Sequence, residues 1–105
     1  MSMSATVLHW PGDDPATEAA ILHMFQSENL QPYRWSNAPG DVYSAHAHSY
    51  HKVIYVVSGS ITFGLPHESQ ALQLRPGDRL DLPLGVVHDA TVGPEGVVCL
   101  EAHRG

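Results

Sequence analysis

The chain predicts an all-β sandwich or barrel preceded by one short helix, and three observations lead there. Strand candidates recur at short intervals from residue 33 onward: "YRWSN", "DVYSAHAH", "KVIYVVS", "ITFGL", "ALQLR", "RLDLP", "HDATV" and "GVVCLEAH". Turn formers separate them, in "APG", "SGS", "LPHES", "RPGD", "PLG" and "VGPEG". The third observation is that no long helical pattern returns after Asn29. Many short strands with regular turns are the pattern of sandwich and barrel architectures.

Taken in order, "MSMSATVLHWPG" reads as a short strand-like segment closed by a Pro-Gly turn. In "DDPATEAAILHMFQSENL", Asp13 or Asp14 is the expected helix cap and Pro15 suits the first helical position. Glu18 adds negative charge to the first turn. Ile21, Leu22 and Phe25, with Ala20 and Met24 beside them, make an apolar stripe for packing. His23 on this helix is expected in solvent, as are His9 and His67 in loops. The expected organisation is one domain over 1–105, with a helical extension at about 14–29 and the β part at about 33–103. No repeat, low-complexity segment or linker interrupts it.

The 105 residues carry a net charge of −6 with histidines neutral, and the pI is about 5.6. No basic stripe is available to neutralise phosphates, which argues against nucleic acid and an anionic membrane surface as partners. Cys99 is the one cysteine, so an internal disulfide is impossible; a reducing cytoplasm suits the chain, and Cys99 reads as a small buried apolar residue. No signal peptide and no apolar run of about 20 residues is found. A chain this short gains from pairing with a second copy. Val53, Tyr55 and Val57 are apolar yet oppose the expected inward face, so a homodimer through that face and the N-terminal strand is predicted.

The chemistry concentrates in "HAHSYHK", residues 46–52. Residues two apart on a strand share a face, so His46 and His48 present adjacent imidazoles, about 7 Å apart at the backbone. Each ring nitrogen would reach a cation at roughly 2.0–2.1 Å. Downstream, "GDRLDLPLGVVHDA" places a turn at Gly77-Asp78, a half-buried strand, a turn at Pro83 and Gly85, and then His88. A lone histidine there is more often structural; it gains meaning beside the first pair.

These two segments resemble the two motifs of the cupin family. The first, G-x5-H-x-H-x3-E-x6-G, is matched by Gly40, His46, His48 and Gly59, with Lys52 where the family has Glu. The second, G-x5-P-x-G-x2-H-x3-N, is matched by Gly77, Pro83, Gly85 and His88, with Val92 where the family has Asn. The resemblance covers residues 40–92, about half the chain. It implies a small antiparallel jelly-roll β-barrel, often dimeric, with one metal inside. It also implies that His46, His48 and His88 occupy three of the four metal positions and that Lys52 occupies the fourth.

Lys52 then poses a problem, because a dication about 6 Å from an ammonium is repelled by about 5–6 kcal/mol at an effective dielectric near 20. The lysine is neutral, or it swings to water or a carboxylate, or the pocket holds an anion without metal. His51 is a further candidate ligand if the chain bends at "SYH"; otherwise it is a solvated or interface residue. Histidine ligands without a carboxylate favour zinc or nickel, with copper also compatible. Ile54 and Val56 are expected to face inward with Lys52, and Val42 and Ser44 to share the face of His46. Trp35, Tyr43, Tyr50 and Phe63 are expected in the core or at the rim. Glu101 and His103 share a strand face; they could reach the pocket, with Glu101 then a second acid-base group, but surface placement is expected for both. Two functions fit: a small enzyme with Lys52 as acid-base partner to a metal, or a binding or sensing module for a small polar molecule.

Overall fold

Two long strands organise the molecule. The computed structural model describes residues 4–104, and in it β4 (His51–Leu65) and β7 (His88–Arg104) pair antiparallel along most of their lengths. The remaining elements are β1 (Thr6–Leu8), α1 (Glu18–Ser27), β2 (Tyr33–Asn37), β3 (Val42–His46), β5 (Gln70–Leu74) and β6 (Arg79–Leu82). The first half of β4 carries β6, which carries β1; its second half carries β5. β7 carries β3 near its start and β2 near its end. All pairings are antiparallel, and the path β1-β6-β4-β7-β2 is not closed into a ring.

Two of the expected turns prove to be irregularities inside these long strands. "SGS" lies within β4 and "VGPEG" within β7. The register shifts at both places, between Val56 and Ser58 and between Gly59 and Ile61. Gly59 and Gly96 both have positive φ, 75° and 77°. A Cβ on Gly59 would lie 2.0 Å from the Gly96 carbonyl oxygen, so the two backbones touch where the strands bend. Glycine at these points creates a bulge in a continuous ribbon rather than its end.

Because the ribbon bends, its two halves share one apolar interior. Ile54 and Val56 from before the bend meet Ile61 and Phe63 from after it, together with Leu74, Leu80, Leu82, Ala90, Val92, Val97 and Cys99. The inward placement of Ile54 and Val56 follows strand alternation as expected. Cys99 is buried, and burial foremost pushes its thiol up to about 12, with the Glu101 charge adding to the shift.

The opposite face of β4 and β7 is apolar too, and α1 covers it. Ile21 and Phe25 are fully buried against Val53, Tyr55, Leu100 and Ala102, with Val57 and Leu22 at the edge. Phe25 meets the Tyr55 ring edge-on at 5.2 Å. This corrects the expected dimer contact: the face bearing Val53, Tyr55 and Val57 is covered by the chain's own helix. The cap is corrected as well. Thr17, rather than Asp13 or Asp14, caps α1 by accepting from the Ala20 N–H at 3.1 Å, and Pro15 stands before the helix. Glu18 is in the first turn as expected.

The far end of α1 is tied down by charge. Glu28 accepts from Arg79 and, at 2.7 Å, from Arg104. Arg79 also donates to both oxygens of Asp81, at 2.9 and 3.0 Å. The Arg79 hydrogen bond is the main cause of a lowered pKa at Glu28.

Candidate metal centre and its cavity

The two histidine motifs are brought together by backbone pairing. His46 and His88 are register partners of β3 and β7. His48 lies just past the end of β3, where its carbonyl accepts from the Gly85 N–H at 2.8 Å. The "PLG" turn therefore holds the first motif against the second. The three rings converge with centroids 4.4 to 5.3 Å apart. One nitrogen from each lies within 4.8 Å of the others, and this is the one such group of candidate metal ligands among the described residues.

The hydrogen bonds decide which nitrogens are free. His46 Nδ1–H donates to the Ser44 carbonyl at 2.6 Å, and His88 Nδ1–H donates to the Val86 carbonyl at 3.0 Å. A carbonyl only accepts, so the proton sits on Nδ1 and the lone pair on Nε2 of the neutral ring. His48 Nδ1 lies 3.2 Å from the Tyr50 hydroxyl, while its Nε2 is buried with no partner at all. An orphaned buried nitrogen beside two imidazoles with free Nε2 lone pairs fits a divalent ion, and the carbonyl partners supply the orientation that ligating histidines require. Burial is the largest cause lowering the pKa of both His48 and His88. The Lys52 charge acts in the same direction on both, against the Val86 hydrogen bond at His88, and so favours the neutral form a metal needs.

Lys52 faces the same cavity, and its partner was not foreseen. Its Nζ lies 3.3 Å from Glu101 Oε2, with the two side chains only 14% and 3% exposed. Glu101 was expected at the surface and is instead buried. Its Oε1 accepts from Trp35 Nε1–H at 3.2 Å, and its Oε2 accepts from the Tyr33 hydroxyl at 2.5 Å and from His103 at 2.6 Å. Burial alone would raise the Glu101 pKa, but the hydrogen bonds from Tyr33 and His103 and the Lys52 charge outweigh it and lower it. Burial and the Glu101 carboxylate hold the Tyr33 hydroxyl well above the usual phenol range. Tyr50 stacks between His48 and His103, at 5.0 and 4.1 Å, linking the histidine group to the Glu101 network.

The cavity has a volume of about 270 Å3 and is lined by His46 and His88 of the histidine group, by Lys52, Glu101 and Tyr33, and by apolar side chains such as Ile54, Ile61 and Phe63. Trp35 and Tyr43 line it as well. The expected placement of Val42 and Ser44 fails here. Val42 was expected to share the His46 face and is 71% exposed, because a bulge between Tyr43 and His46 reverses the alternation and turns Tyr43 inward instead. The same reversal leaves Ser44 outside the cavity lining. His51 does not join the histidine group; its Nε2 faces Asp81 at 3.4 Å, on the side of β4 opposite Lys52. The chain does not break alternation at His51, since Lys52 and His51 already pair in register with Leu82, His103 and Arg104.

Comparison with known proteins agrees with this geometry. The family described as the AraC-like ligand binding domain matches residues 21–100. No curated protein matches. An RmlC-like cupin from Shewanella frigidimarina is similar at 26% identity and a TM-score of 0.61, covering 70% of this chain and 64% of that one. A structure of the DMSP lyases RdDddP and RnDddQII is similar at 30% identity and a TM-score of 0.63, but the match spans 72% of this chain and only 38% of that one. A DUF861 family protein from Thermotoga maritima shares the fold over 96% of this chain and 100% of its own length, at 11% identity and a TM-score of 0.65. The chain belongs to the AraC-like ligand-binding domain family and, as its two motifs indicated, to the cupin superfamily.

Proposed function

We propose that this chain is a metal-binding cupin that takes a small polar molecule into the cavity beside His46, His48 and His88. The observation that carries the reading is the buried, unpartnered Nε2 of His48 next to two imidazoles whose Nδ1 protons are already committed to carbonyls. In this proposal the three Nε2 atoms hold one late divalent ion, zinc or nickel first and copper next, since the donors are all nitrogen. Such an ion would supply Lewis acidity and an open coordination position. Lys52 orients the ligand and is the group placed to give or take a proton. Glu101 holds Lys52 in the cavity, and Trp35 and Tyr33 hold Glu101.

Turnover and simple binding are separated by what Lys52 does. A ligand-binding role is favoured by the family description and by the ion pair that restrains Lys52. A catalytic role is favoured by the similarity to a structure described as a DMSP lyase. The sheet is read as a barrel-type cupin fold, and the chain as a cytoplasmic homodimer. Among the described residues no helix is long and apolar enough to cross a membrane. Elemental analysis of protein purified without an affinity tag tests the metal. Up to one equivalent of zinc, nickel or copper is expected, and His48→Ala should abolish it. Unchanged metal content in that variant would remove the assignment.

A further inference from the structure

The cavity offers positive charge and donors, and its one carboxylate is already engaged. Glu101 is fully surrounded: Trp35, Tyr33 and His103 donate to it and Lys52 pairs with it, so it has little capacity left for a ligand. Lys52 is in the opposite condition. An ammonium has three N–H donors, and Glu101 is the one carboxylate it pairs with among the described residues. With a dication on the three histidines, adding the Lys52 ammonium and subtracting the Glu101 carboxylate leaves two positive charges facing a half-enclosed cavity. Buried charge without a counter-charge is costly, so an anion is the ligand that completes this site.

We infer that the cavity binds a small organic carboxylate, with its charged end between the histidine group and the Lys52 ammonium and its carbon chain against Ile61 and Phe63. The inference rests on the proposed metal site and names the ligand class for it. No arginine is among the lining residues, and phosphate is usually met by guanidinium groups or helix N-termini, so the donor set favours a carboxylate over a phosphate. Phe63 lies 6.4 Å ring to ring from His88, so the apolar wall begins immediately beside the histidines. A purely polar ligand would leave that wall unused, and an amine would be repelled by Lys52.

The test uses calorimetric titration of full-length protein whose zinc content has first been measured. Butyrate, butyramide and inorganic phosphate are the probes. Butyrate is expected to bind at least tenfold more tightly than butyramide and than phosphate. Lys52→Met is expected to weaken butyrate at least tenfold while zinc still saturates the site. Lys52→Gln serves the same purpose if the methionine variant does not fold. Equal binding of butyrate and butyramide overturns the inference, as does tighter binding of phosphate or an unchanged butyrate affinity in the Lys52 variants. If the protein takes up no zinc, the metal reading fails by itself. Butyrate binding that still requires Lys52 then upholds the carboxylate assignment, and absence of binding ends it.

Discussion

Two clusters of charge lie on opposite faces of β4, and they are built from similar parts to opposite ends. On the outer face, Arg79 is gripped by Glu28 and Asp81, and Arg104 adds a second donor to Glu28. The positive and negative groups satisfy one another, and the product is a fastened helix. On the inner face, Lys52 and Glu101 also pair, but beside them three imidazoles aim nitrogens at a common point and His48 Nε2 has no partner. A closed network of buried charges holds structure; one with a gap calls for a ligand.

Breaking the outer cluster should cost the most stability and leave the metal alone. Arg79→Met leaves Asp81 without its arginine and Glu28 with Arg104 alone, and a loss of about 3 kcal/mol is expected in urea unfolding, with zinc content unchanged. A parallel loss of zinc would show that the two faces are not separate. Glu101→Gln should cost about 2 kcal/mol, because Lys52 loses its counter-charge and Tyr33 and His103 lose a charged acceptor. Unlike Arg79→Met, it should also weaken zinc at least tenfold in a chelator competition, since the lysine charge then acts uncompensated.

Lys52→Glu sharpens the contrast from the other side. It removes the ammonium and supplies an oxygen ligand, so at least tenfold tighter divalent binding and a shift toward iron or manganese are expected. Lys52→Met should tighten binding less. Identical affinities in all three proteins would mean that the ammonium does not act on the metal.

The smallest expected difference is in acid sensitivity. His48 and His88 have lowered pKa values in the fold, so the unfolded chain takes up protons that the fold refuses. Their contribution is present above the ordinary imidazole value of about 6.5 and is lost as pH falls through the lowered values. Glu28 is also lowered, but from a carboxylate value, so the outer cluster yields only at more acidic pH. Metal-free protein should therefore weaken in two stages as pH falls, with the histidine stage first. Flat stability from pH 7.5 down to pH 5, followed by one carboxylate stage, would contradict this.

The strand pattern and the three histidines were readable because each rests on local spacing. β2 coincides with "YRWSN" to the residue, and both histidine motifs converge as their resemblance implied. Glu101 was missed for a physical reason. Val97 and Cys99 point into the interior, and Glu101 follows two residues later on the same face, which was a usable signal. But Leu100 and Ala102 are buried too, under α1, so β7 is apolar on both faces and alternation alone does not say which face is the cavity. The dimer face was misassigned by the same ambiguity: Val53 and Tyr55 needed a cover, and α1, itself correctly foreseen, was that cover. Bulges account for Val42 and Tyr43, because one extra residue reverses the side-chain direction of a strand.

The central claim is that the Nε2 atoms of His46, His48 and His88 share one metal ion. An anomalous-difference map at the zinc edge, from crystals grown with zinc at neutral pH, tests it most directly. The account predicts a single strong peak roughly 2.0–2.1 Å from each of the three Nε2 atoms, with the Nδ1 atoms of His46 and His88 still on the Ser44 and Val86 carbonyls. No peak at that position, or a principal peak at His51 and Asp81 on the outer face, would contradict it.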